Sequence, residues 1–122
     1  MARYIDGFLL PVPKKNLDAY VRMARKAGKV WLEHGAVAFM ECVGDDLKSP
    51  MALSFEKVGK LKAGETIFYS FIVFNSRTHR DRVNKKVMSD PRLKEMMEGE
   101  SMPFDMKRMA YGGFKALVDL GT

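Results

Sequence analysis

The sequence predicts an α+β domain in which helices cover one face of a four-stranded antiparallel sheet, with the chain order β, α, β, β, α, β. Three observations carry that prediction. Apolar and aromatic residues concentrate in four segments, at 3–10, 36–43, 65–75 and 109–120. Between the first and second, and again after the third, the apolar spacing changes to the three- and four-residue steps of a helix. Turn-forming Gly, Pro, Asn and Asp punctuate the rest. With 122 residues the chain is sized for one hydrophobic core, so residues 1–122 are read as a single domain.

The first segment, Arg3 to Leu10, reads as a strand stopped by Pro11-Val12-Pro13, because proline cannot donate to a ladder. From Lys14 onward, Leu17, Tyr20, Val21, Ala24, Gly28 and Trp31 line one arc of a helix, and Asp18, Arg22, Arg25, Lys26 and Lys29 the other. Pro13 suits its first turn and Gly35 its C-terminal stop. The second strand is placed at Ala36–Val43 and the third at Glu65–Asn75, joined by a long connection carrying a short apolar piece, Met51 to Phe55. Ser76 is the expected N-cap of a helix to about Ser89, and Asp90-Pro91 the cap and first residue of a short helix ending near Gly99. Met102 to Asp105 is a loop, and Met109 to Leu120 the last strand, in which Gly112-Gly113 predicts a bulge or a close backbone approach.

Such an order is ferredoxin-like. A sheet covered on one side only should alternate apolar with polar, and the third strand does not. It carries Ile67, Tyr69, Phe71 and Val73 on one face and Phe68, Ile72 and Phe74 on the other. The first strand offers Phe8 and Leu10 against Ile5 and Leu9. The chain has no further elements to cover the second face, so a second copy is the expected cover. Two sheets about 10 Å apart would form a dimeric α+β barrel with a two-fold interface.

Composition excludes several classes. No apolar run approaches the roughly 20 residues of a membrane helix, and Asp6 interrupts the only early apolar stretch, so neither a membrane span nor a signal peptide is expected and the address is cytoplasmic. One Cys and two His provide neither a disulfide framework nor a thiolate metal site, so no metal and no cofactor are expected. The net charge of +6 suits an acidic partner, but the basic residues are scattered among acids, which reads as a solvated surface rather than a nucleic-acid face.

Several stretches together closely resemble the YbaA-like family of bacterial proteins. They are Tyr4-Ile5-Asp6-Gly7-Phe8 with Pro11-Val12-Pro13, Trp31 to Ala36, Glu41-Cys42, Asp45-Asp46, Ser76 to Asp81, Val87 to Leu93, Met102 to Asp105, Lys107-Arg108-Met109 and Tyr111 to Phe114. The resemblance spans residues 3 to 120. It implies the dimeric α+β barrel and implies no activity, substrate or catalytic residue, since that superfamily hosts cofactor-free monooxygenases, isomerases, haem peroxidases and effector sensors alike.

Candidate site residues are polar groups on otherwise apolar faces. His79 and Arg80 lie within about 40° of the buried side of the second helix, close to its N-terminal amides. With Ser76 and Arg77 they are read either as an anion site or as a cap and a snorkelling arginine. His34 closes the first helix, as a dipole-favoured terminus or as a general base. Asp6 and Glu41 sit in apolar strands and need partners or a raised pKa. For Asp6 the partner is Arg108 or Tyr111, with proton transfer as the other reading. Asp105 is a cap or a turn residue. Met88, Met96, Met97, Met102, Met106 and Met109 form either an adaptable lid or a satellite core. The expected function is a small dimeric protein binding a small anionic or aromatic metabolite beside its sheet. The alternatives are a ligand-free structural or regulatory dimer, a cofactor-independent monooxygenase- or isomerase-like enzyme, and an RNA binder, for which the free sheet face would have to stay open.

Overall fold

The computed structural model describes residues 1–98 and 102–121. The strands are β1 (Tyr4–Pro13), β2 (Ala38–Val43), β3 (Glu65–Phe74) and β4 (Ala110–Lys115). The helices are α1 (Leu17–Glu33), α2 (Phe55–Val58), α3 (Arg77–Met88) and α4 (Pro91–Glu98). They form one sheet of order β2-β3-β1-β4 with every neighbouring pair antiparallel. The expected end of the last short helix, Gly99, lies outside the described residues. Among the described residues, no helix is long and apolar enough to cross a membrane.

Pro11 and Pro13 do not end the first strand; they lie within it, opposite Ile67 and Glu65. The hydrogen-bond parity explains why. Lys14 N–H donates to the Gly64 carbonyl of the β3 side, whereas the Arg3 carbonyl accepts from Ala116 on the β4 side. Even-numbered residues of β1 therefore bond to β3 and odd-numbered ones to β4. Pairing with β4 stops at Leu9–Ala110, so both prolines point their missing donors at an open edge. The last strand is correspondingly shorter than expected, ending at Lys115, and β2 starts at Ala38.

Helix boundaries follow local chemistry. Ser76 Oγ accepts from His79 N–H at 3.1 Å, and Asp90 Oδ1 accepts from Arg92 N–H at 2.9 Å, capping α3 and α4. Gly35 takes the left-handed φ of +111° that ends α1. Gly112-Gly113 makes no bulge, since the β1–β4 register runs unbroken; Gly113 is a close approach, where a Cβ would stand 2.5 Å from Tyr4 Oη.

Helices α1, α3 and α4 pack on the face that bears Asp6, Phe8, Leu10, Phe68, Ser70 and Ile72. The core beneath them is two clusters. One gathers Val30, Ile72, Phe74, Val83, Val87 and Leu93; the other gathers Leu10, Val12, Tyr20, Ala24 and Phe68. Phe8 touches both, and the space between the clusters is left open as a cavity. The opposite face is met near one end by α2, where Ile67 packs beside Gly59. Elsewhere on it Met40, Tyr69 and Phe114 are 50%, 53% and 62% exposed, a degree of apolar exposure that calls for an explanation.

Candidate functional site

The cavity has a volume of about 340 Å³, within the range of small-molecule sites. Its floor is the helix-covered sheet face and its walls come from α1, α3 and α4. All six methionines between Met88 and Met109 line it, joined by Met23. Unbranched thioether side chains re-pack at low cost, so the wall adapts to the shape of an apolar guest. Phe8, Trp31, Phe39 and Phe104 add aromatic surface.

Two polar clusters interrupt this lining. The first is built around Asp6, which is 1% exposed. Its Oδ2 accepts from Asn84 Nδ2 at 3.0 Å, and Asn84 Oδ1 in turn accepts from Trp31 Nε1 at 2.9 Å. Arg80 Nε lies 3.7 Å from Asp6 Oδ1, and both atoms are buried without a hydrogen bond among the described residues. The rest of the guanidinium is well held. It donates to Tyr4 Oη at 3.2 Å and Tyr111 Oη at 3.4 Å, and lies 4.8 Å from the centre of the Tyr4 ring. Burial, with the Asp6 charge nearby, pushes the Tyr111 phenol up.

The second cluster is Tyr20, Glu41 and Ser70. The Tyr20 hydroxyl donates to Glu41 Oε1 at 2.8 Å, and the Ser70 hydroxyl donates to the same oxygen. Burial raises the Glu41 pKa, against the two hydroxyl bonds, which hold it down. The sign of its effect on stability follows. A carboxyl raised in the folded state is penalised once ionised, and the penalty disappears as pH falls through the folded pKa. Glu41→Gln should therefore gain stability relative to wild type as pH rises from about 4 to 8. Urea midpoints across that range check it, and a difference that does not change with pH would contradict it.

The remaining candidates are dispersed. Ser76 and His79 serve the start of α3: besides the cap, His79 Nδ1 accepts from Asn75 N–H at 3.0 Å. Arg77 is exposed and Arg80 turns toward Asp6, so these four residues do not converge on one anion site. His34 Nε2 lies 2.8 Å from Asp90 Oδ2, tying the end of α1 to the start of α4. Asp105 Oδ1 accepts from Lys107 N–H at 3.0 Å and caps a short 3-10 turn. Arg108 does not reach Asp6; it donates to Glu65 at 2.5 and 2.9 Å, and these bonds hold the Glu65 carboxyl down at about 2. Of the eight sequence candidates, Asp6, Glu41 and Tyr111 line the cavity, and Arg80 stands behind Asp6.

Tyr20, Ser70, Asn84 and Trp31 complete the two clusters; sequence reasoning placed Tyr20 and Trp31 on the apolar arc of the first helix and left out Ser70 and Asn84. The signals were present. Ser70 is a hydroxyl set between Phe68 and Ile72 on an apolar strand face, and Asn84 follows Arg80 by four residues on the helix side marked by Val83 and Val87.

The chain matches the family model described as "Protein of unknown function (DUF1428)" over residues 3–106. It is 44% identical over 117 residues to "Uncharacterized protein YbaA" of Escherichia coli (strain K12), covering 96% of this chain and 98% of the relative. The same figures hold for the relative from Shigella flexneri. Among solved structures, the "De novo designed protein Foldit4" overlaps 98% of this chain at 8% identity and a TM-score of 0.45.

Proposed function

Since the chain belongs to the DUF1428 family, whose matched relatives are themselves described as uncharacterized, we propose a function from the cavity itself: it binds a small, neutral, largely aromatic or aliphatic metabolite between the sheet and the helices. The observation that carries this is the composition of the 340 Å³ lining. Its walls are apolar and methionine-rich. Among the described residues its polar groups are two carboxyls, three hydroxyls, one amide and the Trp31 indole N–H, with no Lys, Arg or His. A bare anion would meet two carboxyl groups and no cation, so a neutral guest fits better than the anionic metabolite the basic composition suggests.

Thermal shift with matched probes tests this. 2-Naphthol should raise Tm in a concentration-dependent way, while 2-naphthoate, of similar shape but charged, should do so far less. A ligand at 100 times its Kd adds about 2.7 kcal/mol of stability. Equal stabilisation by both, or greater stabilisation by the carboxylate, would reject the neutral-ligand reading. No response from a broad set of apolar probes would favour the ligand-free structural dimer.

The uncovered sheet face supports a second element of the proposal. Ile5, Leu9, Met40, Tyr69, Phe71, Val73 and Phe114 share that face by register, and its one acid among the described strand residues, Glu65, sits at one end against Arg108. An electrically neutral apolar face suits another copy of itself, not a nucleic acid, whose phosphates demand cations. Strand order β2-β3-β1-β4 is that of a ferredoxin-like sheet, and two such sheets face to face give the dimeric α+β barrel. Light scattering at micromolar concentration should return twice the chain mass.

A further inference from the structure

We propose that Glu41 is a proton-transfer residue, exchanging a proton between a ligand C–H bond in the cavity and the solvent outside. This rests on the cavity-binding reading above and adds chemistry to it. Three observations point to it. Glu41 is a carboxyl on the wall of a largely apolar cavity. Both hydroxyl bonds, from Tyr20 and Ser70, fall on Oε1, which fixes the carboxyl in the wall while Oε2 receives neither. Glu41 also borders a second space, an open groove between α1 and β2 lined by Arg25, Gly28, Lys29 and Leu32. It is thus a titratable group with the ligand space on one side and a route to water on the other.

The same geometry narrows the substrate class. A ligand O–H or N–H exchanges with water unaided, so a protein base matters only for a C–H acid, and a carboxylate needs that C–H acidified by a neighbouring carbonyl. An apolar ketone carrying an aromatic or aliphatic substituent meets both requirements. In the step, the C–H bond breaks, its electron pair stays on the ligand as the enolate, and the proton passes to Glu41. Proton return to carbon restores the ketone or an isomer of it. No electrons leave the pair, so no oxidant or reductant is needed. Among the described residues, the other charged and titratable groups lining the two spaces that Glu41 borders are Tyr20, Arg25 and Lys29 of α1, with Asp6 of β1 and Tyr111 of β4 across the cavity.

The test uses phenylacetone and the full-length protein in D2O, following loss of the benzylic proton signal by NMR. Methyl signals of labelled methionines report independently whether the probe is seated. Wild type should exchange the protons above buffer background, with a rate that rises as pH increases and then levels off. Glu41→Gln should lose at least about 100-fold of that excess rate at saturating probe, the scale of general-base catalysis, while the probe still moves its methionine signals. Glu41→Asp should retain part of the rate, which a merely structural role would not produce. Exchange unchanged in Glu41→Gln, or absent in wild type although the probe is seated, overturns the proposal. Methionine signals that no probe moves overturn the binding reading, and this inference falls with it.

Discussion

Arg80→Met should cost about 3–5 kcal/mol of stability, the scale found when one member of a buried ion pair is removed. At a urea slope of about 1.5 kcal/mol/M, this is a fall of roughly 2–3 M in the midpoint. Asp6 is 1% exposed, and Arg80 is the cation beside it; Asn84 satisfies only Oδ2. Methionine keeps most of the arginine stem, so the loss reports charge and hydrogen bonding, not packing. The change also strips the donors from Tyr4 and Tyr111. If the buried carboxylate is the main penalty, Asp6→Asn in the Arg80→Met background should recover a large part of it, because an amide carries no charge to strand. A loss under about 1 kcal/mol, or a double variant no more stable than Arg80→Met, would show that the pair is not what holds this corner. Arg80 does not line the cavity, so 2-naphthol should still bind the variant at temperatures where it is folded.

How much of this was legible beforehand differs between elements, and the reason is range. Elements whose signal is local were readable. The Ser76 and Asp90 caps depend on residues two or three positions away, and the Gly35 stop on its own backbone freedom. The two-faced character of β3 was visible because alternation needs only the strand itself. Pro11 and Pro13 misled because their effect depends on where a different strand ends: β4 leaves β1 at Leu9, and that fixes an edge no local pattern announces. The site shows the same division. Asp6 and Glu41 were marked by being acids in apolar strands, but their partners are set by packing. Arg108 lies close to Asp6 in the predicted order and pairs with Glu65 instead, while Arg80 and Asn84, more than seventy residues from Asp6, supply its contacts. The methionines were legible as a cluster and not as a wall, since only the placement of α4 and the following loop over the gap between the two core clusters makes them line one space.

Tyr69→Asp should convert the proposed face-to-face dimer to a monomer while leaving the subunit folded. Tyr69 is 53% exposed in the single subunit, and its ring meets those of Phe55 and Phe71 edge-on, at centroid distances of 6.3 and 6.1 Å. An aspartate there stays in water in the monomer, where a surface change costs about 0.5 kcal/mol. In a face-to-face dimer the same position is covered, and the two-fold axis doubles the effect: each copy would bury a carboxylate with no cation on the face to pair with it. At several kcal/mol for each buried charge, two copies weaken association by about 6 kcal/mol or more, over 10⁴-fold in Kd. Light scattering should then give the single-chain mass at concentrations where wild type is dimeric, and far-ultraviolet circular dichroism should match wild type. The contrast with Arg80→Met is diagnostic, since one change attacks the covered face of the sheet and the other the open one. If Tyr69→Asp stays dimeric, the subunits meet through some other surface, and the apolar face of β2, β3 and β1 needs a different partner.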